Sequence, residues 1–140
     1  MRTVTFQPEI HTFHIDAMGH VSNIAFIQWM EIGRSKMLDE AGMSVHTIME
    51  RGFGPVLVET QISYKQQLKL GDTVIVEVWL SEIAKASAWL EYSFSDGAGK
   101  VFATGRQRGL FFDFEKNRPR RLSDEEKSSF EPYLKTCKGS

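Results

Sequence analysis

The pattern that most restricts this chain lies in residues 23–41. Ile24, Ala25, Phe26, Ile27, Trp29, Met30 and Ile32 follow one another without a helix breaker, and Gly42 stands where a C-terminal glycine belongs. At about 100° per residue, Gln28, Glu31 and Ser35 leave only a narrow polar line through the first half. Lys36, Asp39 and Glu40 give the second half an ordinary wet face. A helix that is apolar on nearly every side at its start must be enclosed by something else.

The rest of the chain offers mainly strands for that enclosure. Val4 and Phe6 alternate with Thr3 and Thr5 before Pro8 interrupts the ladder, and residues 54–65, 72–83, 87–95 and 100–114 alternate over longer runs. Val56, Val58, Thr60, Ile62 and Tyr64 share one face of the first long run; Val74, Val76, Val78 and Leu80 share one face of the second. Ala88, Leu90, Tyr92 and Phe94 do the same on the third. Leu70-Gly71-Asp72 and Asp96-Gly97-Ala98-Gly99 have turn chemistry, so the economical topology pairs the strands sequentially and antiparallel. A short amphipathic stretch falls at 45–49, and the capping-box spacing of Ser123 to Glu126 predicts a short terminal helix to about residue 134. No second helix interrupts the later strands, which argues against a ferredoxin-like fold. The expected fold is α+β: one curled antiparallel sheet of about five strands wrapped around one long central helix. Its open edges and helix ends favour a homo-oligomer joined edge to edge.

Length and composition narrow the remaining classes. A chain of 140 residues is expected to form a single domain, 1–140, and 41% hydrophobic with 25% charged residues is the balance of a globular protein. Seventeen basic and 18 acidic side chains leave a net charge of -1, so no global field draws the chain to nucleic acid or to a membrane. The single cysteine, Cys137, can form neither an internal disulfide nor a cysteine-rich zinc site. With no signal-like or membrane-length apolar run, a cytoplasmic location is expected.

Ionisable groups concentrate just before the apolar helix, in His14-Ile15-Asp16-Ala17-Met18-Gly19-His20-Val21-Ser22-Asn23. Asp16 lies where a carboxylate faces the free N–H groups and positive dipole end of a helix, although an aspartate there can be a capping residue and nothing more. His11, His14, Asp16 and His20 include metal-competent groups, but they lack the helical His-x-x-x-His spacing, and an extended strand would point His11 and His14 to opposite faces. No metal is expected. Glu31, on the polar helix line, is a second candidate carboxylate, with an i,i+3 ion pair to Arg34 as the plain alternative.

From Phe13 to Asn23, followed by Phe26, Trp29, Met30, Glu31 and Arg34, the sequence closely resembles the hot-dog-fold acyl-CoA thioesterases of the 4-hydroxybenzoyl-CoA thioesterase type. The resemblance continues through Leu68 to Asp72, Ala103-Thr104-Gly105, Asp113 and Arg118 to Leu122. Ser22 departs from the first asparagine of many relatives, and Gln67 from a common proline. The resemblance implies a hot-dog fold and hydrolysis of an acyl-CoA, or of an acyl carrier protein thioester, with no cofactor, since coenzyme A belongs to the substrate. It implies Asp16 as catalytic nucleophile or general base, the Asn23 N–H as a donor to the developing oxyanion with a neighbouring N–H from Gly19 to Ser22 assisting at the substrate, and His20 and the Asn23 side chain as groups shaping the loop. Phe26, Ile27, Trp29 and Met30 are then candidates for the acyl pocket and Glu31 for a further substrate contact; the basic connector with Arg118, Arg120 and Arg121, aided by Arg106 and Arg108, could receive the phosphates, with a solvated linker as the plain alternative. A dimer or dimer of dimers with active sites at the subunit interface is implied; independently, the compact apolar turn Gly52-Phe53-Gly54-Pro55 leads residues 52–61 of one subunit to be expected beside the Asp16 loop of another. A non-catalytic acyl-thioester binding protein on the same fold is the alternative from a different class.

Overall fold

The computed structural model describes residues 2–135; Cys137 lies outside them. In chain order the elements are β1 (Val4–Phe6), α1 (Asn23–Glu40), α2 (Val45–Glu50), β2 (Phe53–Tyr64), β3 (Ile75–Ile83), β4 (Ser87–Ser95), β5 (Val101–Asp113), β6 (Arg118–Pro119) and α3 (Asp124–Phe130). The strands form one antiparallel sheet in the order β1-β3-β4-β5-β2, with the two-residue β6 added to β5. The sheet wraps α1, as expected. Val76, Val78, Leu80, Leu90, Tyr92 and Phe94 from its concave face and Phe26, Trp29, Met30 and Met37 from α1 make the core.

Sequential pairing is corrected at one place: β2 pairs with β5 along its whole length and not with β3. The cause lies in the connection after Tyr64. Leu68 is buried there, the N–H groups of Lys65 and Gln66 donate to the Phe102 carbonyl, and Gly71, at φ +94°, closes a turn in which Asp72 Oδ2 accepts from the Lys69 N–H. Leu70-Gly71-Asp72 is therefore a corner in a crossover rather than a hairpin, and β3 starts at Ile75 instead of residue 72. The uniform dry face expected for β2 is also broken. A bulge between Leu57 and Glu59 shifts the register, and Val58 and Tyr64 are exposed.

The enclosure of α1 is likewise one-sided. Ala25, Phe26, Trp29, Met30, Gly33 and Met37 face the sheet, whereas Ile24, Ile27 and Ile32 are 68%, 47% and 43% exposed. A single sheet has one concave face, so it covers one side of a helix and leaves the other to a further partner.

Gly33 sets how closely α1 approaches β3 and β4. A Cβ at this position would lie 2.7 Å from Val78 Cγ2, 3.3 Å from Tyr92 Cε1 and 3.4 Å from Phe6 Cε1. Gly33→Val is therefore expected to lower stability by about 1–3 kcal/mol through overpacking. Urea unfolding measures it; an unchanged or raised midpoint would show that α1 has room here.

Candidate active site

A tight loop delivers Asp16 to the start of α1. Ile15 and Val21 bridge antiparallel, the Asp16 N–H donates to the His20 carbonyl at 2.8 Å, and the Gly19 N–H donates to the Asp16 carbonyl at 3.1 Å. Gly19 takes φ +80°, the left-handed conformation that closes the loop with least strain as glycine. Asp16 Oδ1 accepts from the Met18 N–H at 2.9 Å and the His20 N–H at 3.1 Å. Its other oxygen, Oδ2, has no partner among the described residues. The carboxylate is thus held by one oxygen and free at the other.

The loop is tied to its surroundings on both sides. The Val21 N–H donates to the Leu68 carbonyl at 2.7 Å, and the Ser22 N–H to the His14 carbonyl at 2.8 Å. Ser22 caps α1, its hydroxyl accepting from the Ala25 N–H at 3.4 Å. Among the described residues the N–H groups of Asn23 and Ile24 find no acceptor, so the helix begins with two donors available to an anion. The His20 ring makes no hydrogen bond among the described residues. His14 Nδ1 accepts from the His11 N–H at 2.9 Å, and its ring meets Trp29 edge-on at 5.4 Å. Among the described residues no three His, Cys, Asp or Glu side chains gather as metal ligands.

The other candidates separate into two places. Phe26 and Trp29 are 3% and 2% exposed and pack on Phe94, so they stand in the core and not on an open acyl pocket. The helical repeat turns both toward the sheet; Ile24 and Ile27 take the outward positions near the loop. Glu31 forms a two-oxygen pair with Arg34, both contacts 2.6 Å, and Arg34 also reaches Gln107 at 3.5 Å. The ion pair that the spacing allowed is formed.

Arg118 and Arg120 lie at the far end of the sheet. The Asp16 loop is anchored beside the Tyr64 end of β2, whereas β6 pairs with Phe112 and Asp113 beside Phe53. Along β5 from Phe102 to Phe112 this is ~30 Å at about 3.3 Å per residue. Arg120 is further engaged in a pair with Glu126, at 2.8 and 3.0 Å, and lies over the Phe53 ring at 3.9 Å. Burial pushes the Glu126 carboxyl up, but the Arg120 hydrogen bonds and the Ser123 N–H outweigh it and hold the group below its ordinary range. Arg118 and Arg121 are exposed.

Comparison with known families decides the class. The sequence profile described as the thioesterase-like superfamily matches residues 10–131. The chain belongs to that superfamily. It is similar, at 25% identity over 111 residues (79% of this chain and 80% of the other), to the Bacillus subtilis (strain 168) protein named "Putative acyl-CoA thioesterase YneP". Among solved structures, the 1,4-dihydroxy-2-naphthoyl-CoA thioesterase of Synechocystis superposes with a TM-score of 0.82 at 17% identity, covering 92% of this chain and 96% of that one. The DHNA-CoA thioesterase of Staphylococcus aureus gives 0.80 at 19%, covering 87% and 82%. At such identities the likeness shows the shared hot-dog fold.

Membership in a superfamily of thioester hydrolases makes sense of segments that carry no chemistry themselves. Leu68 receives the N–H that anchors the catalytic-loop candidate, Gly105 lets Met30 of α1 approach to 3.0 Å from a would-be Cβ, and Asp113 Oδ1 turns the chain by accepting from the N–H groups of Glu115 and Lys116. Sequence reading missed Gln107, which is 1% exposed and accepts from the Tyr92 hydroxyl at 2.7 Å while its Nε2 donates to Thr60 Oγ1 at 3.3 Å. The only available signal was a glutamine at an inward position between two arginines.

Burial, and then the neighbouring His11, hold the His14 pKa below its ordinary 6.5. The unfolded chain therefore takes up a proton near that pH which the folded chain refuses until lower pH. Stability is full above about pH 6.5 and falls as pH drops below it. The urea midpoint is expected to fall between about pH 7.5 and 5.5, and His14→Phe to flatten that fall; an equal slope in both proteins would show that His14 is not responsible.

Proposed function

We propose that this superfamily member hydrolyses acyl-CoA thioesters with Asp16 as nucleophile or general base. The observation that carries the reading is the Asp16 carboxylate, fixed through Oδ1 by two backbone N–H groups and free at Oδ2, beside the two unpaired N–H groups that open α1. Attack on the thioester carbonyl, by Oδ2 or by a water giving its proton to Oδ2, puts negative charge on the carbonyl oxygen. The Asn23 N–H and the positive end of α1 stabilise that charge. The tetrahedral intermediate then expels the coenzyme A thiolate; by the nucleophilic route, water cleaves the resulting mixed anhydride. Gly19 and His20 shape the loop, and no metal or cofactor takes part.

The working unit in this reading is a homodimer joined along β2. Among the described residues the outer edge of β2 is unpaired, and Ile24, Ile27, Val58 and Tyr64 are exposed. Antiparallel pairing of two β2 edges about a two-fold axis sets the Phe53 end of one chain beside the Tyr64 end of the other. That brings Arg118 and Arg121 of one protomer to the Asp16 end of its partner, where they meet the substrate's phosphates. Arg120 instead holds Glu126.

Free-thiol release from a panel of acyl-CoA and aroyl-CoA esters, with chelator present, tests the activity. Chelator-insensitive release supports it. Binding of the esters without release leaves a non-catalytic acyl-thioester protein, and release only from carrier-protein esters moves the substrate to that class.

A further inference from the structure

A cavity of about 60 Å³ lies between the second half of α1, the concave face of β3–β5 and α3, away from every residue named above as catalytic. Leu38, Leu80, Leu90 and Phe130 wall it, and Ala88 and Gly109 leave space where larger side chains would stand. Arg34 stands at the cavity as its one charged lining group, and its charge is already matched by Glu31. Resting on the thioesterase reading, we propose that this cavity seats the methyl end of an aliphatic acyl chain, making long-chain acyl thioesters the substrate class.

Chemistry and size agree on that occupant. Apart from the Ser87 hydroxyl and the matched Arg34, the lining among the described residues is apolar, so an oxygenated or charged acyl end would lose its water with little compensation. Its volume is well below the ~150 Å³ cavity that accepts benzene, so it suits a narrow chain end better than an aromatic ring. On α1, Asn23, Ile27, Arg34 and Leu38 fall within one narrow sector, so a line along the helix runs from the oxyanion donors to the cavity. Arg34 and Leu38 lie ~16 and ~22 Å from Asn23 along the axis at about 1.5 Å per residue. A fatty-acyl chain of about 15 Å, the length that spans half of a bilayer core, comes level with Arg34 and stops short of Leu38, whereas a single aromatic ring ends far from both. A two-fold dimer along β2 brings the partner's copy of this cavity toward the same site, which shortens the chain required and leaves its chemistry unchanged.

The experiment measures kcat/KM for saturated acyl-CoA esters of increasing length and for benzoyl-CoA, in the wild type and in Ala88→Leu, which fills the cavity. In the wild type kcat/KM is expected to rise roughly fourfold for each methylene that enters the cavity and then level off. Ala88→Leu is expected to lower the long-chain to short-chain ratio at least tenfold. A flat profile, preference for benzoyl-CoA, or an unchanged ratio overturns the proposal while the thioesterase reading stands. Should Ala88→Leu fail to fold, calorimetry of the wild type with hexadecanoate and with benzoate decides, because only the fatty acid should bind. If no ester is cleaved, the activity reading falls, and the same titration still supports the cavity's occupant or, with no fatty-acid binding, overturns it.

Discussion

Asp16→Asn is expected to reduce turnover by ~10²–10⁴-fold, the range associated with loss of a positioned catalytic acid or base. The amide oxygen of asparagine can still accept from the Met18 and His20 N–H groups that fix Oδ1, so the loop and the melting temperature are expected to hold. What is lost is the basic and nucleophilic capacity of Oδ2. Glu31→Gln is the matched control, because Glu31 is the other carboxylate near the start of α1 and spends both oxygens on Arg34. Eight residues along the helix put it ~12 Å from Asn23, too far for one carboxylate to act at the Asn23 N–H within its own chain. Near-normal turnover in Asp16→Asn together with inactive Glu31→Gln would transfer the chemistry to the helix carboxylate.

The parts of this molecule that sequence made legible are those governed by local periodicity and local backbone chemistry. The inward faces of β3 and β4 follow from alternation, α1 from its unbroken apolar run, and the α3 start from the Ser123–Glu126 capping box, which is formed with both bonds in place. The place of the Asp16 to His20 loop ahead of α1 was also readable, although its hydrogen bonds, which join residues no more than four apart, were not foreseen. Pairing partners were not. Alternation misjudged the dry face of β2, which a bulge breaks, and says nothing of whether β3 or β5 lies beside it; the buried Leu68 in the crossover decides that question only in three dimensions. Phe26 and Trp29 show the same boundary. Their type suits an acyl pocket and a core equally, and only the direction of the sheet settles that they pack against Phe94. Gln107 with Tyr92, Thr60 and Arg34 joins three strands and a helix, so no sequence window contains the network.

Specific activity is expected to fall on dilution in step with dissociation of a dimer, because on the proposed reading a single chain separates the Asp16 carboxylate from the arginines assigned to the substrate's phosphates. The Asp16 loop hangs from Leu68 beside the Tyr64 end of β2, while Arg118 and Arg121 follow β5 out at the Phe53 end. No movement of the exposed connector closes ~30 Å of strand. A two-fold axis across the free β2 edge does so at once, since it exchanges the two ends, and it covers Ile24, Ile27, Val58 and Tyr64, which one chain leaves in water. Light scattering across the concentration range gives the dissociation midpoint, and thiol release measured over the same range gives the activity. Coincidence of the two curves is the expected result; a stable monomer with full activity per chain would place the complete site within one protomer and remove the arginines from it.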